Sequence, residues 1–204
     1  MKGKTKYVFV FILTTLLLIY IIVWRVGLIG LWQEGMAYIA NNTHDFNDKN
    51  GSLIPGDYSI SIDLSDLKSN IGKEIYNDGE YRIYISWMDN TGAINSGGYR
   101  IGFRSVGKYS LSGATLISGI HHKTVGEHSF TTEITAKLIA EFKSQSYSSP
   151  TYGVTGLNYK SGDDFSFYLF PTKAYESKEV SLEETGTVKL TLSNLYKNIW
   201  TKSS

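Results

Sequence analysis

Beyond Arg25 the chain carries only three arginines, Arg82, Arg100 and Arg104. All three fall out of phase with the apolar residues of two strand-like runs, Tyr81 to Trp87 and Tyr99 to Phe103, and Tyr84 shares their phase. Consecutive strands often pair, so one sheet would bring the three guanidinium groups and Tyr84 onto a common outer surface. Planar guanidinium forks suit bidentate binding of carboxylate or phosphate. The candidate ligand is an anionic envelope polymer or an acidic patch on a partner protein. The alternative is ordinary surface ion pairing with carboxylates such as Asp63.

Other groups with reactive side chains read as structural. His121, His122 and His128 form the one histidine cluster. Neighbours on a strand point to opposite faces, so His121 and His122 cannot both ligate one metal from regular sheet, and no Cys or carboxylate completes a zinc spacing. They read as solvated loop histidines. Asp163-Asp164 follows Ser161-Gly162 and reads as a turn and strand start rather than a catalytic or metal carboxylate pair. Glu183-Glu184 before Thr185-Gly186 has the same reading. Around Gly51, the residues Asp48, Asn50 and Asp57 imitate positions three, five and twelve of a calcium loop, but Phe46 stands where the first carboxylate belongs. There is no G-x-S-x-G, H-E-x-x-H or phosphate-cradling loop. The expectation is therefore a non-enzymatic protein with no catalytic residue, no metal and no cofactor assigned.

The elements that position these residues begin with an uncharged run from Tyr7 to Trp24. As a helix it is about 27 Å long, enough to span a bilayer. Lys2, Lys4 and Lys6 precede it and Arg25 follows, which keeps the N-terminus cytoplasmic and sends the rest across a plasma membrane. Residues 1–6 are then a basic cytoplasmic tail, 7–32 a signal-anchor helix with an interfacial extension, 33–56 a linker and 57–204 an extracytoplasmic β-domain. Trp24 and Trp32 suit the membrane interface, with Arg25 snorkelling. The competing reading is a cleaved secretory signal with a site at Gly35-Met36-Ala37, although the apolar core exceeds the usual signal length.

From Asp57 the hydrophobic period becomes two. Tyr58, Ile60, Ile62 and Leu64 alternate with polar residues, as do Tyr81, Ile83, Ile85 and Trp87, then Tyr99, Ile101 and Phe103. Turn-forming stretches such as Asn77-Asp78-Gly79 and Ser96-Gly97-Gly98 bound these runs. Further strands are expected at Leu111 to Ile120, Phe165 to Phe170 and Val188 to Leu192. Phe130 to Lys143 alternates like a long strand, yet its Ala, Leu, Glu and Lys residues and the Glu133/Lys137/Glu141 spacing also suit a helix. The fold class is all-β: an antiparallel β-sandwich or jelly-roll-like ectodomain behind one N-terminal transmembrane helix. Among 15 tyrosines, Tyr58, Tyr81 and Tyr99, with Trp87, are core candidates. Tyr84 should face outward, and Tyr147, Tyr152 and Tyr159 lie in a Ser/Thr/Gly-rich connection that suits exposure and sugar stacking.

The chain has no cysteine, which removes disulfides and thiolate chemistry together. Subtracting the basic residues at positions 2, 4, 6 and 25 from a net charge of +1 leaves −3 on the remainder. Nucleic acid is thereby disfavoured as a partner. An anchored β-domain without catalytic motifs suits a surface binding or envelope-associated role first. A structural subunit of a membrane assembly comes second, and a secreted or anchored hydrolase third.

Overall fold

The computed structural model describes residues 2–48 and 50–203, with side chains from Tyr7 onward. Met1 and Ser204, the ends of the expected cytoplasmic tail and β-domain, lie outside the described residues, as do the side chains of Lys2, Lys4 and Lys6.

Three helices lead the chain: α1 (Lys2–Arg25), α2 (Leu28–Glu34) and α3 (Met36–Asn41). Nothing of α1 from Tyr7 onward is buried against the rest of the protein, and the helix is long and apolar enough to cross a membrane. Its two central threonines return their hydroxyls to the carbonyls of Val10 and Phe11 at 2.9 Å. No polar group there needs water. Gly27, at φ 81°, ends α1 in a left-handed turn.

The strands are β1 (Phe46–Asn47), β2 (Ser52–Leu53), β3 (Asp57–Asp63), β4 (Glu74–Asn77), β5 (Arg82–Asn90), β6 (Tyr99–Val106), β7 (Lys108–Ser110) and β8 (Gly113–Ser118). They continue with β9 (Ile120–Gly126), β10 (Ser129–Ile134), β11 (Lys137–Phe142), β12 (Gln145–Ser149), β13 (Thr151–Val154) and β14 (Asp164–Tyr168). A short helix, α4 (Thr172–Glu176), precedes β15 (Thr187–Ser193) and β16 (Tyr196–Lys202).

All pairings between these strands are antiparallel. One sheet runs β13-β14-β6-β5-β4 and another β12-β11-β15-β3. A third runs β1-β16-β8-β7 with β2 also on β16, and β9 pairs with β10 as a hairpin. The alternation of the sequence explains the main core. Ile83, Ile85, Ile101, Phe103, Phe165 and Phe167 from the five-stranded sheet share one buried cluster with Ile62, Leu138, Ala140, Val188, Leu190 and Leu192 from the four-stranded sheet.

A second buried cluster joins the helical N-terminus to the β-domain. Leu31, Met36, Ile39, Ala40 and Phe46 pack with Ala114, Leu116, Leu157 and Trp200. The stretch expected as a linker over 33–56 therefore carries α3, β1 and β2 folded onto the third sheet. Its apolar residues are too few for a visible period, yet each finds a place on a surface built by distant strands. Gly35 makes the joint tight: the Met36 N–H donates to the Lys160 carbonyl at 2.9 Å, and a Cβ on Gly35 would lie 2.2 Å from that oxygen.

Two further expectations shift. Phe130 to Lys143 is neither one strand nor a helix. It breaks into β10 and β11 at Thr135-Ala136, where both backbone N–H groups donate to the Gly119 carbonyl. The long strand expected from Leu111 to Ile120 likewise divides at Gly119, with Leu111 left in an exposed turn.

Candidate functional site

The outer face of the five-stranded sheet is built by cross-strand register. Tyr84 lies opposite Arg104, Asp89 opposite Arg100, and Asp164 opposite Arg104 on the other side. The chain thus brings Tyr84, Arg100 and Arg104 together, with Arg82 two residues along β5 from Tyr84 on the same side.

A bulge in β5 adds a residue that sequence alternation does not reveal. Ile85 pairs with Phe103, but Trp87 pairs with Gly102, so Ser86 is the extra residue and the phase inverts beyond it. Met88 takes the inward position opposite Ile101. Trp87, expected in the core, lies instead on the outer face and is half-buried. Its indole rests on Gly102, where a Cβ would come 2.1 Å from the indole nitrogen.

Around Trp87 the face is aromatic and charged at once. Arg100 donates to Asp89 from Nε at 2.9 Å and again from Nη2, and from Nη1 to the Tyr152 hydroxyl at 2.9 Å. Its guanidinium stands 4.7 Å from the Tyr152 ring centre and 5.9 Å from that of Trp87. Tyr152 meets Trp87 and Tyr168 edge to face, with ring centres 6.0 and 5.1 Å apart. Arg104 binds Asp164 with two parallel bonds of 2.9 and 3.1 Å and stacks 3.6 Å from the Tyr159 ring centre. Arg82 reaches Glu74 at 3.4 Å and lies over Tyr84.

These pairings set the electrostatics of the face. The Asp89 and Asp164 carboxylates hold Arg100 and Arg104 charged far above any physiological pH. Burial, with the carboxylate of Asp164 second, pushes the Tyr159 phenol up. Each arginine of the sequence-derived set has a carboxylate partner, and none of these is Asp63. That residue lies on β3 and accepts the Ser65 N–H. The carboxylates were not legible as partners because Asp89 and Asp164 read as turn and strand-start residues until register set them opposite the arginines. Tyr152 and Tyr159 are exposed, as their Ser/Thr/Gly-rich context suggests. Tyr147 is not: its ring packs against Phe170 at 5.3 Å.

A second constellation lies in the interior. His122, expected to be a solvated loop residue, is fully buried on β9 with Asp163 and Ser118. His122 Nε2 lies 2.6 Å from Asp163 Oδ2, and the Ser118 hydroxyl is 2.8 Å from both carboxylate oxygens. Asn198 accepts the His122 backbone N–H and donates to the Ile120 carbonyl. Strand alternation does separate the neighbouring histidines: His121 faces away and stacks on Tyr196, ring centres 4.0 Å apart.

Serine, histidine and aspartate together suggest nucleophilic catalysis, but their order differs from what that chemistry needs. The imidazole must take the serine proton, and here the carboxylate binds serine and histidine separately. All three side chains are also closed to solvent. The arrangement ties the 161–163 turn to β8 and β9. Asp48, from the calcium-like stretch, accepts the Thr124 N–H at 2.8 Å. Among the described residues no group of three or more His, Asp or Glu side chains converges as a metal site.

Comparison with known proteins gives no significant match to a family model, a curated protein or a solved structure.

Proposed function

We propose that this chain is a single-pass, membrane-anchored extracytoplasmic module whose β-sandwich displays a saccharide-binding face on its five-stranded sheet. The observation that carries this reading is the outward-turned Trp87, set beside Tyr152, Tyr168 and the Arg100–Asp89 pair. Aromatic rings offer flat apolar surface to the C–H faces of sugars. Fixed guanidinium and carboxylate groups alongside them offer hydrogen bonds to hydroxyls.

Charge favours a neutral, hydroxyl-rich chain over the anionic polymer that the arginines alone suggest. Arg82, Arg100 and Arg104 are offset by Glu74, Asp89 and Asp164 on the same face. A polyanion would have to displace two bidentate carboxylates, losing bonds as strong as those it gains.

The anchoring part of the proposal rests on the apolar α1 helix and its lysine-rich start. Retention is supported by packing: a cut after Ala37 would remove Leu31 and Met36 from the second core.

Co-sedimentation of the full chain in detergent with insoluble neutral polysaccharides tests the face. The Trp87→Ala/Tyr152→Ala double variant is expected to lose about tenfold or more in affinity, the scale of two lost aromatic contacts. Replacing Arg82, Arg100 and Arg104 by Gln tests the polyanion alternative, since loss confined to polyanionic material at low salt would favour it. Equal binding of every polysaccharide by the parent and the aromatic variant would overturn the saccharide reading.

A further inference from the structure

The joint between α1 and α2 holds a cavity that the proposed sugar face does not use. It encloses about 420 Å³ and is lined by Trp24, Arg25, Gln33, Glu34 and Tyr38, among others. Tyr38 lies flat against Gly30, where a Cβ would come 2.3 Å from the ring, so the floor is closed by the tyrosine. One cation and one anion line the same space. Among the described residues neither Arg25 nor Glu34 forms an ion pair within the chain.

Position along the helix sets the depth of this cavity. From Tyr7 to Arg25 the helix rises about 27 Å, one hydrocarbon thickness, so Arg25 falls at the outer headgroup plane. Trp24 and Trp32, 62% and 73% exposed, flank it as interfacial aromatics do. Lys160 of the β-domain stands 5.2 Å from the Trp32 ring centre. Because the Met36 N–H is bonded to the Lys160 carbonyl, the β-domain is held close to the same plane.

We infer that this elbow binds the headgroup of a phospholipid bearing a primary amine, its phosphate on Arg25 and its ammonium on Glu34. The inference rests on the anchoring reading but is independent of the sugar face. A guanidinium takes phosphate oxygens in a fork, and a carboxylate accepts N–H bonds from a primary ammonium. A trimethylated ammonium has no N–H to give Glu34, and an uncharged glycerol headgroup leaves the carboxylate without a cation. The site therefore discriminates among lipids of equal chain length by headgroup alone.

The test uses the full chain released from mixed micelles holding equal amounts of phosphatidylethanolamine, phosphatidylglycerol and phosphatidylcholine with identical acyl chains. Native mass spectrometry then counts the lipids retained. Phosphatidylethanolamine is expected to exceed each of the others by about two- to fivefold, the scale of one partly solvated ion pair. Glu34→Gln should abolish that preference, and Arg25→Gln should lower retention of both phosphatidylethanolamine and phosphatidylglycerol. Both positions are exposed, and a thermal melt of each variant confirms that the fold is kept. Equal retention of the three lipids by the parent, or a preference untouched by Glu34→Gln, overturns the headgroup site. Alkaline extraction of membranes separates this from failure of the anchor. A chain that leaves the membrane defeats the anchoring reading, whereas a retained chain without lipid preference defeats only the headgroup site.

Discussion

Asp163 accepts from two buried donors, Ser118 and His122, and has no route to water. Removing it strands both. Asp163→Ala is expected to destabilise the protein by about 3–5 kcal/mol, as for breaking a buried ion pair on one side, measured by urea unfolding of the full chain in detergent. Trp87 belongs to a different class. Half-exposed over Gly102, it is expected to cost about 1–2 kcal/mol when changed to Ala, below the 3–5 kcal/mol of a fully buried aromatic. A larger loss in the same assay would return it to the core. His121 supplies a pH dependence. Burial against Tyr196 lowers the pKa of its ring from 6.5, with Glu133 and Asp48 opposing. The unfolded chain binds that proton more readily, so stability is full above about pH 6.5 and declines as pH falls through the depressed folded value. His121→Gln should flatten that decline, read from unfolding midpoints across the acid range.

Among the elements, the α2–α3 joint and the bulge in β5 control most of what the surface presents. Gly35 combines φ 62° with direct approach to the Lys160 carbonyl, so Gly35→Ala forces either strain or separation. A loss of at least about 1 kcal/mol is expected, together with faster amide exchange in Met36–Asn41 than in the core strands. Unchanged exchange there would mean that α3 docks without the glycine. The β5 bulge acts in the opposite sense: it leaves the buried alternation of Ile83 and Ile85 intact, then turns one aromatic outward. Without the extra residue Ser86, Trp87 would sit in phase with Ile85 and the outer face would lose its central ring. Gly119 is a third control point, since its carbonyl ends one strand and starts another.

For the whole molecule, two buried clusters give a continuous path from the apolar helix to the sheets. The larger cluster belongs to the β-domain, and the smaller one joins α2 and α3 to β8 and β16. A domain held this way cannot swing on a long tether. If α1 spans the membrane as proposed, protease added to intact cells should cut the β-domain slowly, because no extended segment lies between α1 and α3. Rapid release of an intact domain by a single cut near residue 35 would show that the joint opens. N-terminal sequencing of mature material separates retention from signal cleavage.

The sequence by itself determined the one-dimensional properties. These are the apolar run of α1, the period-two strands through Tyr58, Ile83 and Tyr99, the all-β antiparallel class, and the even positions that carry Arg82, Tyr84, Arg100 and Arg104. Each depends only on neighbours along the chain, through helix rise or strand alternation. Tertiary structure alone decided which carboxylate meets which arginine, that Ser86 inverts the phase at Trp87, and that His122 lies beside Asp163, 41 positions away. It also decided that residues 36–47 dock instead of hanging free. These outcomes depend on register and on contacts between distant strands, where a shift of one residue moves a side chain to the opposite face, and local periodicity carries no record of such a shift.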